Sequence, residues 1–397
     1  MFHKLARSGE IRDIMGDINI FPSVRVRKTP FWDRVVEAGV KSCSVYNRML
    51  LPVHFETAEI DYFHLKEHVQ LWDVACERQI EVIGPDATRL IELLSPRPID
   101  NLKVGKCLYF PVVDQYGGML NDPVLLKFSD IRYWLSIADS DYLLWVLALA
   151  AAFNINARVF EPDVSPLGVQ GPKSDELMAR VFGKEMTKLK FFDFMTLEFQ
   201  GKEHYVSRSG YSKQGGFEIY VEGSENGIPI WDALMEAGED LSVRAGGPNY
   251  PERVEGGLLS YGTDMTMKHT PYESGLGKYC DVHLTPDCIG YDSLMDVFEI
   301  GWDREIRSLA IEGDRVPLCH VPWKVTVDGE FAGHVTSVVW SPGYKTNVAI
   351  GMIEKDFWHP DTEVLVHAPD HPRKGKSDKV SILKIKERYY GILGPSS

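Results

Sequence analysis

The sequence predicts an α+β fold that ends in an all-β, barrel-like domain. Up to about residue 300, short apolar strands alternate with helical patterns. From about residue 305, the segments IRSLAIEG, WKVTVDG, GHVTSVVW, NVAIGMI, TEVLVHA and KVSILKI follow one another, separated by turns such as VDGE and SPGY. Such a series of short strands is typical of a small barrel. We therefore predict a flexible N-terminal extension (1–20), an α+β region (21–300) and a C-terminal barrel-like domain (301–397).

Helices of the α+β region are predicted where apolar residues recur at helical spacing. Pro85 opens PDATRLIELL at a position that the first turn of a helix tolerates, and IPIWDALMEAGED is amphipathic and ends near a glycine. The predicted helices are 59–69, 85–94, 142–153, 173–183 and 228–240. Strands are predicted in RQIEVIG, LYFPVVD, GGMLNDPVLLKF and IRYWLSIAD, as a strand pair in ARVFEPDVSPLGVQG, and three times within 195–222, around the loop RSGYSKQGG.

The most apolar segment, YLLWVLALAAAF (Tyr142–Phe153), is predicted to form a buried core helix. A helix that spans a bilayer needs about 20 apolar residues, and this segment is shorter. Asp139, Ser140 and Asp141 precede the segment, and we expect them to cap its first turn.

Composition and charge exclude several classes of function. The net charge of −14 disfavours binding to nucleic acid, because phosphate contacts need clustered Lys and Arg side chains, whereas a cationic ligand suits an acidic protein. The six cysteines are scattered without a CxxC pair, which is the pattern of reduced thiols. The N-terminus lacks the apolar centre of a signal peptide. These features predict a cytoplasmic protein that binds neither nucleic acid nor a membrane.

Two patterns resemble known sites but lack their context. His64 and His68 have the spacing of zinc ligands, without an HExxH motif or a recognisable third ligand, so two surface histidines are the preferred interpretation. The GKS at Gly375–Ser377 lacks the glycine that a P-loop has five positions earlier, where Asp370 stands. Because GxGxxG and GxSxG are also absent from the sequence, neither classical dinucleotide binding nor serine-hydrolase chemistry is supported, and no metal site is predicted.

Seven segments resemble motifs of the aminomethyltransferase family, which includes the glycine cleavage T protein, and they follow family order over residues 27–391. LWDVACERQIEVIGPDA resembles the family's LFDVSHMGQIEVSGPDA. The other segments are RKTPF, GGMLNDP, QGPKS, RSGYSKQGGFEIYV, ERVEGGLLSYGTDM and SPGYKTNVAIGMI. The resemblance implies an α+β fold built as a three-domain disc, with tetrahydrofolate in a central channel.

The resemblance also implies residues that bind the folate. Glu218 matches the family's pterin-binding glutamate, and a carboxylate can accept two pterin N–H groups in one bidentate contact. A solvated glutamate at a strand end is the alternative. Asp122 matches the second aspartate of the family's GGxxDD motif, near folate N5, and Asn121 replaces the first. The alternative for Asp122 is a turn-forming role before Pro123.

Departures from the glycine cleavage protein are equally informative. Its loop GYTGEDG is here GYSKQGG, and its folate-binding arginine falls on Asn249, with Tyr250 in place of the following aspartate. The amide of an asparagine does not offer the paired N–H donors of a guanidinium, and this puts the glycine cleavage reaction in doubt. The later arginine and glutamate of the motif are kept, as Arg253 and Glu255. These departures, together with VYNRMLLP, HLKEHVQLWDVACERQ, LNDPV and SIADSD, resemble the dimethylsulfoniopropionate (DMSP) demethylase branch of the family.

This branch implies methyl transfer from the sulfonium of DMSP to N5 of tetrahydrofolate, giving 5-methyltetrahydrofolate and methylthiopropionate, with no metal required. The predicted catalytic residues are Asp122, whose carboxylate would favour positive charge at N5, and Tyr211, whose ring would hold the onium head. The predicted cofactor-binding residues are Glu218, Asp122, Asn121 and Arg253. The predicted substrate-binding residues are Lys213, Gln214, Tyr109 and Trp134.

Several alternatives stay open at this point. Tyr46 and Tyr116 are further candidates for the onium pocket, and each of these aromatic residues could instead pack in the core or at the rim. Arg253 either binds the substrate carboxylate or is a structural partner of Glu255 or Glu218. The methyl donor could be a betaine, dimethylglycine or a methoxyaromatic, and the chain could be a non-catalytic folate-binding regulatory protein. The expected partners are the onium substrate and tetrahydrofolate, with a homodimer as the assembly.

Overall fold

The computed structural model describes residues 23–360 and 362–379, which group into two compact units. One unit comprises Arg27–Asn249 and Ser260–Trp302, and the other contains Tyr250–Leu259 and the chain from Asp303 onward. The N-terminal extension predicted at 1–20 lies outside the described residues.

Helices and strands alternate in the first unit, as the sequence predicts. The helices of the described chain are α1 (Trp32–Glu37), α2 (Ala58–Glu67), α3 (Ala87–Leu94), α4 (Tyr142–Ala152), α5 (Ser174–Phe182), α6 (Gly227–Ala237), α7 (Tyr250–Glu255) and α8 (Tyr291–Ile300). The strands up to residue 246 are β1 (Ser42–Tyr46), β2 (Met49–His54), β3 (Gln70–Asp73), β4 (Gln79–Ile83), β5 (Lys106–Tyr109), β6 (Val112–Val113), β7 (Met119–Asn121), β8 (Val124–Ser129), β9 (Arg132–Ser136), β10 (Arg158–Phe160), β11 (Val164–Gln170), β12 (Phe194–Phe199), β13 (Lys202–Ser207), β14 (Gly216–Glu222) and β15 (Arg244–Gly246).

A five-stranded antiparallel sheet in the first unit has the order β10-β4-β9-β8-β5. Alternate residues of its strands, such as Ile80 and Val82, face a core that also receives apolar side chains of α3 and α4. The β1–β2 hairpin and the β6–β7 pair form two small separate sheets. The sheet thus brings β5, which ends at Tyr109, beside β8, which begins just after Asp122.

A six-stranded sheet has the order β12-β13-β14-β11-β3-β15, with β15 parallel to β3 and the other pairs antiparallel. Three of its four inner strands, β3, β11 and β14, are buried almost throughout, because both faces of the sheet are covered there. Phe217, Ile219 and Val221 of β14 pack with α5 and α6 in one core. Since side chains alternate along a strand, Glu218 faces the opposite side.

The second unit contains the predicted C-terminal barrel. It is closed in the order β16-β19-β18-β17-β20-β21, from β16 (Arg304–Ile311), β17 (Trp323–Val327), β18 (Glu330–Ser341), β19 (Thr346–Glu354), β20 (Glu363–His367) and β21 (Pro372–Lys379). A bulge between Val335 and Ser337 interrupts the register of β18, and Ser337 accepts a hydrogen bond of 2.7 Å from Arg253. The segment that carries α7 is thereby attached to the barrel.

Two predictions about the α+β region are wrong in part. The helix predicted at 142–153 forms, but only Tyr142, Val146 and Leu149 of α4 are buried, and the side chain of Asp141 makes no capping hydrogen bond. Asp141 instead pairs with Arg48 at 2.6 Å. The strand pair predicted in ARVFEPDVSPLGVQG is two strands in different sheets, since β10 pairs with β4 and β11 pairs with β3 and β14.

The last predicted strand, KVSILKI, begins at residue 379, so almost all of it lies outside the described residues and it stays a prediction. The described barrel is closed by β21, whose sequence PRKGKSDK includes the GKS that resembles a P-loop fragment. Sequence patterning misses this strand because β21 lacks the apolar alternation of a half-buried strand.

Candidate active site

Glu218 lies on an inner strand of the six-stranded sheet, opposite Gly168 of β11 and Ser207 of β13. Its side chain is 8% exposed. The Ser209 hydroxyl donates a short hydrogen bond to Oε2. Burial raises the pKa of Glu218, and hydrogen bonds from Ser209 and Tyr220 act against that rise.

The loop between β13 and β14 is held in place by hydrogen bonds to the side chain of Gln170, the last residue of β11. The Gln170 amide nitrogen donates to the carbonyl oxygens of Ser209 (3.2 Å) and Phe217 (3.1 Å), and its oxygen accepts from Ser212 (2.8 Å). Gly210 has a φ of +154°, and a Cβ atom there would lie 2.1 Å from the Gln170 amide nitrogen. The QGPKS and RSGYSKQGG motifs therefore act together, because one side chain fixes the course of the loop.

Asp122 follows β7 and is largely buried. The Tyr109 hydroxyl donates to Oδ2 at 2.6 Å, while the buried Oδ1 has no hydrogen-bond partner in the described part of the chain. Burial raises the pKa of Asp122 to about 7, with the Tyr109 bond lowering it and the charge of Asp264 raising it. The carboxyl group is therefore partly protonated near neutral pH.

Asn121 is fully buried and has structural partners. Its amide nitrogen donates to Ala138 O (2.9 Å) and Ser140 Oγ (2.8 Å), and its oxygen accepts from Ala138 N (2.9 Å) and Asp122 N (2.9 Å). These four bonds occupy the amide that was predicted to bind the cofactor. Asn121 therefore holds the backbone of Asp122 in place.

Glu77 is a third acidic residue at this site, and it was not predicted from the sequence. Burial raises its pKa, and the charges of Glu218 and Asp122 raise it further, so all three carboxyl groups lie within electrostatic range of one another. The signal was present in LWDVACERQ, where Glu77 stands at the Met position of the family's LFDVSHMGQ.

Three tyrosines accompany the acids. Tyr109 donates a hydrogen bond to Asp122. Burial is the main cause that raises the pKa of Tyr46, and the nearby Glu77, Cys76, Asp122 and Tyr211 raise it further. Tyr211 packs against the buried cluster that contains Trp72. Burial is the largest cause of the raised pKa of Tyr46 and of Tyr109, and the neighbouring groups that raise it further are acids, a thiol and other tyrosines. Such a site favours a ligand that carries positive charge.

Trp134, Arg253 and Tyr116 are further candidates from the sequence. Trp134 is 0% exposed and packs edge-on against Phe128 and Tyr205, which is the position of a core residue and not of a substrate-binding one. Arg253 belongs to the unit that contains the barrel, where it donates to Ser337 and to Leu258 O (3.0 Å). Tyr116 is 74% exposed.

The remaining members of the Tyr211 loop are more accessible than Glu218. Lys213 is exposed and Gln214 is partly buried. Both side chains remain candidates for contact with a substrate that enters from solvent.

The rejected zinc pattern is a pair of interacting histidines. The rings of His64 and His68 lie 4.9 Å apart, and His64 Nε2 hydrogen-bonds to Ser242 O at 2.8 Å. Within residues 23–360 and 362–379, no three His, Cys, Asp or Glu side chains are grouped so that they could hold a metal ion. Across the same ranges, no helix has the length and apolar character to cross a membrane. All six cysteines lie in the described chain and are free thiols.

Comparison with known proteins identifies the family. Residues 31–283 match the GCVT N-terminal domain, and residues 304–377 match the glycine cleavage T-protein C-terminal barrel domain. The chain is 54% identical over 355 residues to dimethylsulfoniopropionate demethylase DmdA from Ruegeria pomeroyi, covering 89% of this chain and 97% of that one. The fold is that of glycine cleavage system aminomethyltransferase T from Bartonella henselae, with a TM-score of 0.80 at 20% identity over 90% of this chain and 98% of that one. The chain therefore belongs to the glycine cleavage T-protein, or aminomethyltransferase, family and to its dimethylsulfoniopropionate demethylase branch.

Proposed function

We propose that this protein is a tetrahydrofolate-dependent demethylase that transfers a methyl group from DMSP to N5 of tetrahydrofolate, giving 5-methyltetrahydrofolate and methylthiopropionate. The observation that carries the proposal is the 54% identity, over 89% of this chain, to a protein named as a DMSP demethylase. The chemistry of the candidate site agrees with it, because buried carboxylates and tyrosine faces stabilise an onium cation.

The polar groups of the site fit a reduced pterin. Glu218 is buried, and its carboxylate would accept the adjacent N–H groups of the pterin in a bidentate contact. Asp122 Oδ1 is a buried acceptor without a donor among the residues that the structure describes, and such a group costs about 1–3 kcal/mol until a ligand satisfies it. When bound, tetrahydrofolate supplies the N5 lone pair that accepts the methyl carbon.

Asp122 would act on the charge that moves during the transfer. As the C–S bond breaks and the C–N bond forms, sulfur keeps the electron pair and leaves as a neutral thioether, so positive charge passes to nitrogen. The Asp122 carboxylate would stabilise that charge and accept the N5 proton, for which a pKa of about 7 is suitable. Alignment of the two reactants supplies up to roughly 7–11 kcal/mol in favourable cases.

Further roles complete the proposal. Tyr211 would contact the onium head, and Lys213 with Gln214, on the same loop, would bind the substrate carboxylate. Arg253 is not assigned to the folate, because its guanidinium is engaged with Ser337 and Leu258. A homodimer and a cytoplasmic location stay predictions, which sedimentation velocity and cell fractionation would test.

The deciding experiment is a reaction of purified protein with DMSP and tetrahydrofolate under anaerobic conditions. We expect 5-methyltetrahydrofolate and methylthiopropionate in equal amounts by mass spectrometry, with strongly reduced formation in Glu218→Gln. The matched control is Glu299→Gln, which removes one charge from an exposed position on α8. Absence of both products from the wild-type reaction would contradict the proposal, and formation of 5-methyltetrahydrofolate only from glycine betaine or dimethylglycine would assign a different donor.

A further inference from the structure

We propose that Glu77 is the residue that selects a cationic methyl donor, and that its carboxylate faces the sulfonium together with the rings of Tyr46 and Tyr211. This inference rests on the proposed function and extends it to the means of substrate recognition.

The backbone around Glu77 is fixed by a tight turn between β3 and β4. Glu77 N donates to Val74 O (2.9 Å), Arg78 N donates to Cys76 O (3.0 Å), and the Gln79 amide donates to Glu77 O (2.8 Å). Asn47, at the tip of the β1–β2 hairpin, donates from its side chain to Cys76 O (2.9 Å). The same hairpin carries Tyr46, so this bond brings the tyrosine beside the turn that presents Glu77.

Glu77 differs from the two other acids in its hydrogen bonding. Ser209 donates to Glu218 and Tyr109 donates to Asp122, whereas the Glu77 carboxylate has neither a hydrogen bond nor an ion pair with any described residue. A largely buried carboxylate without a donor is unfavourable, and it becomes favourable when a cation binds. The buried Oδ1 of Asp122, which has no hydrogen-bond partner among the described residues, independently indicates that a ligand occupies this space.

The chemistry of the two reactants assigns Glu77 to the sulfonium. A pterin is recognised through directed N–H donors, which Glu218 can accept. A sulfonium has no N–H or O–H group, so a protein recognises it through charge and through aromatic faces. A neutral Met occupies the position of Glu77 in the glycine cleavage motif LFDVSHMGQ, and the negative charge therefore appears together with the change of substrate.

The test compares two ligands that differ in charge and hardly in shape. β-Alanine betaine has a trimethylammonium head, and 4,4-dimethylpentanoate has a tert-butyl head on the same propionate chain. We expect wild-type protein to bind the betaine more tightly in calorimetry, and Glu77→Gln to reduce that preference by at least about tenfold, equivalent to about 1.4 kcal/mol. In the demethylation assay, the same variant should raise the KM for DMSP about tenfold, while the Kd for tetrahydrofolate changes less than about twofold.

The outcomes separate this inference from its alternatives. Glu299→Gln is the control, since it makes the same chemical change at an exposed position and should leave both ligands unaffected. Equal weakening of the two ligands by Glu77→Gln, or an unchanged preference, overturns the role of Glu77. If that variant does not fold, Glu77→Met is measured in the same way, with the same decision. A wild-type protein that forms no 5-methyltetrahydrofolate refutes the proposed function, whereas the preference between the two ligands still reports on Glu77.

Discussion

Replacing Asp122 by asparagine is expected to stabilise the fold while it slows turnover. Burial raises the pKa of this carboxyl group from 3.8 to about 7. The folded protein therefore holds the proton more tightly than the unfolded chain, and ionisation of Asp122 opposes folding. The cost is absent below the unfolded pKa, grows as the pH rises between the two pKa values, and is complete above about pH 7.

The magnitude follows from the two pKa values. Their difference, 7 minus 3.8, is about 3 units, and at 1.36 kcal/mol per unit the upper limit is roughly 4 kcal/mol. Asparagine keeps an oxygen that can accept from Tyr109, but it adds an amide NH₂ group that needs its own acceptor. We therefore expect a gain in the free energy of unfolding of about 1–3 kcal/mol at pH 8, smaller at pH 5 by at least about 1 kcal/mol.

Urea unfolding at pH 5 and pH 8 measures this effect in wild type, Asp122→Asn and the control Asp292→Asn, which changes an exposed aspartate of α8. A gain of the same size at both pH values, or a loss of stability at pH 8, would refute the reasoning. In the demethylation assay, kcat of Asp122→Asn should fall by about a hundredfold, with less than about a threefold change in the Kd for tetrahydrofolate. Equal effects on kcat and Kd would indicate a structural role for Asp122.

Three further predictions address its neighbours. Glu218→Gln should weaken tetrahydrofolate binding by at least about 1–2 kcal/mol in calorimetry, because a charge-assisted bidentate contact is lost, and unchanged affinity would remove Glu218 from the site. Tyr109→Phe removes the 2.6 Å bond that lowers the pKa of Asp122, so the rise of kcat with pH should move to higher pH, by up to about 1 unit; an identical pH profile would contradict this. Asn121→Asp replaces the amide nitrogen that donates a 2.9 Å hydrogen bond to Ala138 O with an oxygen, which cannot donate. We expect the free energy of unfolding in urea at pH 8 to fall by about 1–3 kcal/mol, and unaltered stability would count against the structural role.

Much of the fold could be predicted from local patterns. Helices α2, α3, α5 and α6 and the first five barrel strands coincide with predicted segments, because their apolar residues recur at helical spacing or form short β-rich runs between turns. Periodicity reports which segments form, but not how fully a neighbour covers them. Helix α4 illustrates the limit: its sequence is apolar on every side, yet only three of its residues are buried.

Motif residues keep their order and spacing along the chain, so the sequence alone was enough to identify the family and the expected ligands and to predict Glu218, Asp122 and Tyr211 as site residues. The surroundings of these residues became known from the folded structure. It gave Asn121 its four structural hydrogen bonds, put Trp134 into an aromatic core and brought Glu77 within electrostatic range of the other acids. The burial and the hydrogen-bond partners of a side chain depend on contacts between residues that are distant in sequence. These contacts set its pKa and decide which of its hydrogen-bonding groups remain open to a ligand, and the identity of the residue alone does not.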